Sequence, residues 1–130
     1  MDFSFDSIRD KMEADMDAAL RAVKEIGYDY VEFAGYYGKS AEEIRALLDK
    51  YALECVCVHQ SIDFYEERGA AGDEFVKALG AKYSAIPWYN KDVLYADLDN
   101  ILEKFESMGK FLLENGLPLL YHNHDFEFVK

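Results

Sequence analysis

The sequence reads as an α/β protein built on five parallel strands joined by four helices, in the order β-α-β-α-β-α-β-α-β. Two observations carry that reading. An amphipathic helix, a turn and a short apolar strand follow one another four times along the 130 residues. Strands separated by helices cannot pair as hairpins, so they make right-handed βαβ crossovers and a parallel sheet. Each later strand also ends in polar or aromatic residues: Glu32, His59, Trp88 with Tyr89, and His122-Asn123-His124. Ligands gather at the carboxyl ends of the strands in sheets of this kind.

Residues 3–8 alternate apolar and polar and predict a first strand. From Asp15 a helix carries Met16, Ala19, Leu20, Val23 and Ile26 at helical spacing, and Gly27 supplies a left-handed cap. A strand over residues 30–33 and a loop over 34–38 follow. Ser40 and Glu43 form a capping box, each side chain satisfying the other's free amide, before a helix with Ile44, Leu47, Leu48 and Tyr51 on one stripe. Cys55 to Val58 is a continuous apolar strand of the type buried on both faces, ending at His59. Residues 60–72, with Asp63, Glu66, Glu67, Arg68 and a glycine-rich close, predict a mobile, solvated loop. A short helix over 73–79 stops at Gly80, and a strand over 83–86 closes at Pro87. A long helix over 95–115 presents Leu98, Ile101, Leu102, Phe105, Met108 and Leu112, with Gly116 as its stop. The fifth strand begins at Leu117.

At 51% hydrophobic residues the chain buries one core, so residues 1–130 predict a single domain. Its formal charge of -12 repels phosphate backbones and anionic lipid, which argues against nucleic-acid and membrane-surface binding. Cys55 and Cys57, two apart in a strand, fall on one face, poorly disposed to bond to each other, and read as reduced core residues of a cytoplasmic protein. The first residues carry neither a basic nor a long apolar segment, and no apolar run approaches the ~18 residues of a membrane span.

The densest chemistry lies in Tyr121-His122-Asn123-His124-Asp125-Phe126-Glu127-Phe128. On a strand His122 and His124 share a face and Asn123 takes the other. Two imidazoles with Glu127 further along begin a divalent-metal or proton-transfer site; imidazole suits zinc, and carboxylate suits manganese or magnesium. The same residues also read as hydrogen-bonded strand-end groups, and spacing leaves both readings open.

Ser7-Ile8-Arg9-Asp10, the stretch from Ile26 to Tyr36, Ile86-Pro87-Trp88 and the motif from Tyr121 to Phe128 together resemble the sugar phosphate isomerase/epimerase family of xylose-isomerase-like TIM barrels. The resemblance runs in order along essentially the whole chain. It implies a divalent metal (manganese, zinc or magnesium) held at the mouth of the barrel and gripping neighbouring carbonyl and hydroxyl oxygens of a sugar or sugar phosphate. A carboxylate or imidazole would then shuttle the α-carbon proton through an enediolate. Carried onto this sequence, it implies His122 or Glu127 as metal ligand and His124 and Glu32 as proton-transfer groups. Arg9, His59, Trp88, Tyr89 and Asn123 would line the sugar pocket. The wider superfamily includes dehydratases and endonucleases, and the acidic charge disfavours the latter.

A complete barrel of this kind has eight strands and about 250 residues, so the expectation here is a partial (βα) TIM barrel. All helices would lie on one face of the sheet, leaving the other, with its aromatic and aliphatic side chains, open, so two copies are expected to associate in a homodimer, either face to face or by edge pairing into a closed or pseudo-closed barrel. A sugar-binding remnant without turnover is the alternative, because the ligands that later strands supply in the family fall outside these residues.

Overall fold

The computed structural model describes residues 2–128, apart from the side chains of residues 2, 3, 6 and 7. Its sheet runs in the order β1 (Asp2–Ser4), β2 (Tyr30–Phe33), β3 (Glu54–His59), β4 (Tyr83–Ile86) and β5 (Leu119–Tyr121), with every neighbouring pair parallel. The first strand is shorter than its alternation suggests, because residues Phe5–Ile8 wind into a 3-10 turn. That turn sends Phe5 under the helices, edge-on to Phe33 at 4.9 Å.

Seven α-helices appear among the described residues where periodicity predicts four, because three of the four crossovers are broken in two. The first break is at Asp15, extended at φ -158°, which ends α1 (Arg9–Ala14) and caps α2 (Met16–Ile26) by accepting the Ala18 amide. Gly27 closes α2 at φ 110°, a backbone that side chains rarely adopt. In α3 (Ala41–Tyr51) the capping box forms in both directions, Ser40 N–H to Glu43 Oε2 at 2.8 Å and Glu43 N–H to Ser40 Oγ at 3.2 Å.

Most of the segment predicted as a loop is instead α4 (Ile62–Arg68), whereas the short helix predicted over 73–79 is present as α5 (Ala70–Ala78), starting three residues earlier. The charges of the predicted loop, Asp63, Glu66, Glu67 and Arg68, do sit outside, but Ile62 and Tyr65 are buried, and the Tyr65 hydroxyl donates to Ser84 Oγ of β4 at 2.6 Å. Ser61 caps α4, and Gly69 at φ 54° turns the chain into α5. The long C-terminal helix also divides, at Asp97, into α6 (Lys91–Ala96) and α7 (Leu98–Glu114). Ile101 and Leu112 of its stripe are buried, whereas Leu98 and Leu102 are exposed, as is Ile26 at the end of α2.

The core lies between the helices and one face of the sheet, with Val31 and Phe33 of β2, Cys55 and Val58 of β3 and Leu119 of β5 turned into it. Among those, Val58 and Phe33 are fully buried, each worth about 1.5–3 kcal/mol relative to exposure. A register shift between β2 and β3 corrects the expectation that both cysteines share a face: Val31 pairs with Cys55, but Glu32 pairs with Cys57. Val56 is the extra residue of a β-bulge, and an extra residue reverses the side on which every later residue falls. Cys55 therefore stays in the helix-side core while Cys57 and His59 emerge on the open face with Glu32. Among the described residues nothing packs on that face, and Tyr30, Tyr83 and Leu120 are partly exposed there.

Candidate functional site

The strand ends converge on one rim. Register brings Ser4 beside Glu32, Cys57 beside Tyr83, His59 beside Ala85, and the His122 amide onto the Ile86 carbonyl at 2.9 Å. Paired residues in a sheet point the same way, so Glu32, Cys57, His59 and His122 share the open face. Its first cavity, of about 660 Å³, is lined by those four with Tyr83 and Leu120 among others. A second cavity of about 500 Å³ lies at the rim, where Ser4, Arg9, Trp88 and His124 join His59 and His122. The two shared imidazoles form the wall between the cavities.

His59 Nε2 and Glu32 Oε2 are 2.9 Å apart, and the histidine side chain is only 9% exposed. The three imidazoles run in a row: His59 meets His122 edge-on at 5.5 Å, and His122 lies 5.2 Å from His124. His124 in turn stacks on Phe126 at 6.0 Å. Nδ1 of His124 is buried and has no hydrogen-bond partner among the described residues, while its ring lines the rim cavity. A polar group of a ligand would relieve that atom.

Not every residue chosen from the sequence joins this constellation. Tyr89 places its ring against Phe105 of α7 at 5.5 Å and lines a separate cavity of about 300 Å³. Asn123 is exposed and lines neither rim nor open-face cavity. Both oxygens of Glu127 are engaged, Oε1 by the Tyr121 hydroxyl at 2.6 Å and Oε2 by the His124 amide at 2.8 Å. Burial pulls the Glu127 carboxyl upward, but the Tyr121 hydroxyl and backbone amides outweigh it and hold it below its ordinary value. Glu127 thus braces the turn that presents His124.

A different donor set does converge. One ligand atom each from Glu32, Cys57 and His59 lie within 4.8 Å of one another, the group among the described residues with the proximity a metal ion needs. Cys57, read from the sequence as inert core, is the member that sequence reasoning misses. Its thiol is pushed up to about 12, first by burial and then by the charge of Glu32. No signal within its own strand marks it, since the bulge exists only in the pairing with β2.

No protein-family model matches the sequence, and no curated protein matches it. Solved structures do. A sugar phosphate isomerase/epimerase from Parabacteroides distasonis superposes with a TM-score of 0.80 at 20% identity, over all of this chain and 53% of the other. A xylose isomerase domain containing protein from Salmonella typhimurium gives 0.64 at 14% identity, over 92% of this chain and 47% of the other. An AP endonuclease of family 2 from Brucella melitensis gives 0.63 at 18% identity, over 82% and 49%. The chain shares their fold. It spans about half the length of each of these structures. No helix among the described residues is long and apolar enough to cross a membrane.

Proposed function

We propose that the rim binds a small anionic sugar, a sugar phosphate in the first instance, and moves a proton at the carbon beside its carbonyl, the chemistry of an isomerase or epimerase. One observation carries the reading. In a chain of charge -12, the rim cavity is lined by Arg9 and three imidazoles and, among the described residues, by no carboxylate. Cationic and neutral donors in a cavity of about 500 Å³ suit a compact phosphorylated polyol. The likeness to isomerase-fold structures supports the same class.

Arg9 anchors the phosphate, and the indole of Trp88, 54% exposed at the cavity edge, supplies an apolar wall for a sugar ring. Glu32 fixes the orientation of His59 through their 2.9 Å contact. His124 is the proton carrier: its amide is held by Glu127, its ring is backed by Phe126, and its Nδ1 lacks a partner among the described residues. His122, between the two, donates to a substrate hydroxyl. Glu32, Cys57 and His59, with His122 adjacent, are the residues of this chain that would hold a divalent cation. Such an ion supplies polarisation of the carbonyl and hydroxyl oxygens.

The test is proton exchange at the α-carbon of aldose and ketose phosphates in deuterated water, followed by NMR, beside a binding titration. Binding that weakens at least ~10-fold in Arg9→Ala, with exchange lost in His124→Gln, is the expected result. Absence of binding to any sugar phosphate would defeat the reading. A second reading, sugar binding without turnover, draws on the engagement of both Glu127 oxygens, and its mark is binding with no exchange. The partly exposed Tyr30, Tyr83 and Leu120 on the open face favour a second copy of the chain as its cover.

A further inference from the structure

We propose that Glu32, Cys57 and His59 form a three-ligand site for a borderline-soft divalent cation, zinc in preference to magnesium or manganese. The donor atoms already lie within 4.8 Å of one another. Zinc bonds of about 2.0–2.3 Å place tetrahedral ligand atoms roughly 3.3–3.8 Å apart, so closure on the ion needs side-chain shifts of about 1 Å or less. The mixture decides the metal. Magnesium and manganese take oxygen donors, whereas a sulfur, an imidazole nitrogen and one carboxylate suit zinc.

The backbone fixes the set in place. Glu32 and Cys57 are register partners on adjacent strands, and His59 follows two residues later on the same face. The Val56 bulge is what brings this about, because without it Cys57 and His59 would follow Cys55 into the helix-side core. Bulges are over-represented beside functional sites, where they re-aim a side chain. Cys57 has little competing use, since among the described residues its thiol donates weakly and only to backbone groups, the Val58 carbonyl at 3.7 Å and the backbone of Ala85. Three protein ligands leave a fourth position, and the adjoining cavity of about 660 Å³, also lined by His122, has room for a water or a substrate oxygen there. On binding, the Cys57 S–H bond is replaced by a sulfur–metal bond and one proton passes to solvent.

The inference rests on the sugar-phosphate reading only for the use to which the ion is put; the site itself is tested without any sugar. Cobalt(II) is titrated into the full chain, followed by zinc(II). The expected result is a sulfur-to-cobalt charge-transfer absorption with tetrahedral visible bands, both abolished as zinc displaces cobalt. Cys57→Ser loses the charge-transfer absorption and weakens zinc by at least ~10-fold, and His59→Gln weakens zinc while retaining the sulfur band. Cys55→Ala changes neither. Circular dichroism reports folding, and Glu32→Gln provides a third ligand variant should Cys57→Ser unfold. A wild-type chain that takes up no zinc at micromolar concentration overturns the proposal, as does a charge-transfer band that survives Cys57→Ser or disappears in Cys55→Ala. Zinc binding without sugar-phosphate binding would leave this site standing and remove the functional reading; the converse would remove the site alone.

Discussion

Deleting Val56 isolates what the bulge does. With the extra residue gone, simple alternation runs Cys55 inward, Cys57 outward, Val58 inward and His59 outward, so every flanking side chain keeps its face and the Val31–Cys55 and Glu32–Cys57 pairs become consecutive. Fully buried Val58 stays in the core and His59 stays beside Glu32. The loss is that of a half-buried valine, about 1 kcal/mol. Inserting one alanine between Cys57 and Val58 does the reverse, turning Val58 to the open face and His59 into the helix-side core, away from Glu32. Exposing the valine costs about 1.5–3 kcal/mol, and burying an imidazole without its partner about 1–3 kcal/mol more. The insertion therefore loses about 2.5–6 kcal/mol, against the 5–15 kcal/mol typical of a domain. At a urea m-value of about 2 kcal/mol/M the midpoint falls by about 0.5 M in the deletion and about 1–3 M in the insertion. Urea unfolding followed by circular dichroism measures both, and nuclear Overhauser contacts between the His59 and His122 rings, now 5.5 Å apart, report the site. A deletion variant that loses the ring contact, or an insertion variant within ~0.5 M of the unaltered chain, would refute the reasoning.

Four further outcomes are expected. Alkylation of Cys57 in a Cys55→Ala background should be slow at neutral pH and accelerate about tenfold per pH unit, because the thiol is pushed up to about 12; Glu32→Gln should speed it by removing the repelling charge, with mass spectrometry as readout. Ser40→Ala should lower stability by about 0.5–2 kcal/mol in thermal or urea unfolding through loss of the capping box, and a neutral result would show that α3 is held by packing alone. Glu127 has a depressed folded value, so its contribution is present above the ordinary glutamate range of about 4.3 and lost as pH falls through the lower folded value; Tyr121→Phe should move that loss to higher pH in an NMR titration of the His124 amide. Light scattering at micromolar concentration should report a dimer if a second copy covers Tyr30, Tyr83 and Leu120, and a monomer would exclude that cover.

The local signals in the chain were dependable where a short-range interaction decides the outcome. Ser40 with Glu43, Gly27 after α2, and the apolar runs of β2, β3 and β4 each sit where composition and spacing place them, since a cap or an alternation is settled within a few residues. The charged segment after β3 was misread because α4 is held by only two apolar contacts, Ile62 and Tyr65, and by a hydroxyl bond to Ser84 that only the fold brings near. The break at Asp15 is made locally, its carboxylate accepting the Ala18 amide, whereas Asp97 makes no side-chain cap to mark the break there.

The residues alone established an α/β chain whose polar tips meet at the carboxyl ends of parallel strands, because hydrophobic periodicity and the impossibility of hairpins across helices leave few other arrangements. Which tips actually meet was decided in three dimensions. Strand pairing inserted Val56 as an unpaired residue, so Cys57 joined Glu32 and His59 on the open face; Tyr121 and the His124 amide took both oxygens of Glu127; and Phe105 drew Tyr89 aside. Each of these depends on a partner distant in sequence or on the register between two strands, and neither can be read from one strand's order of residues.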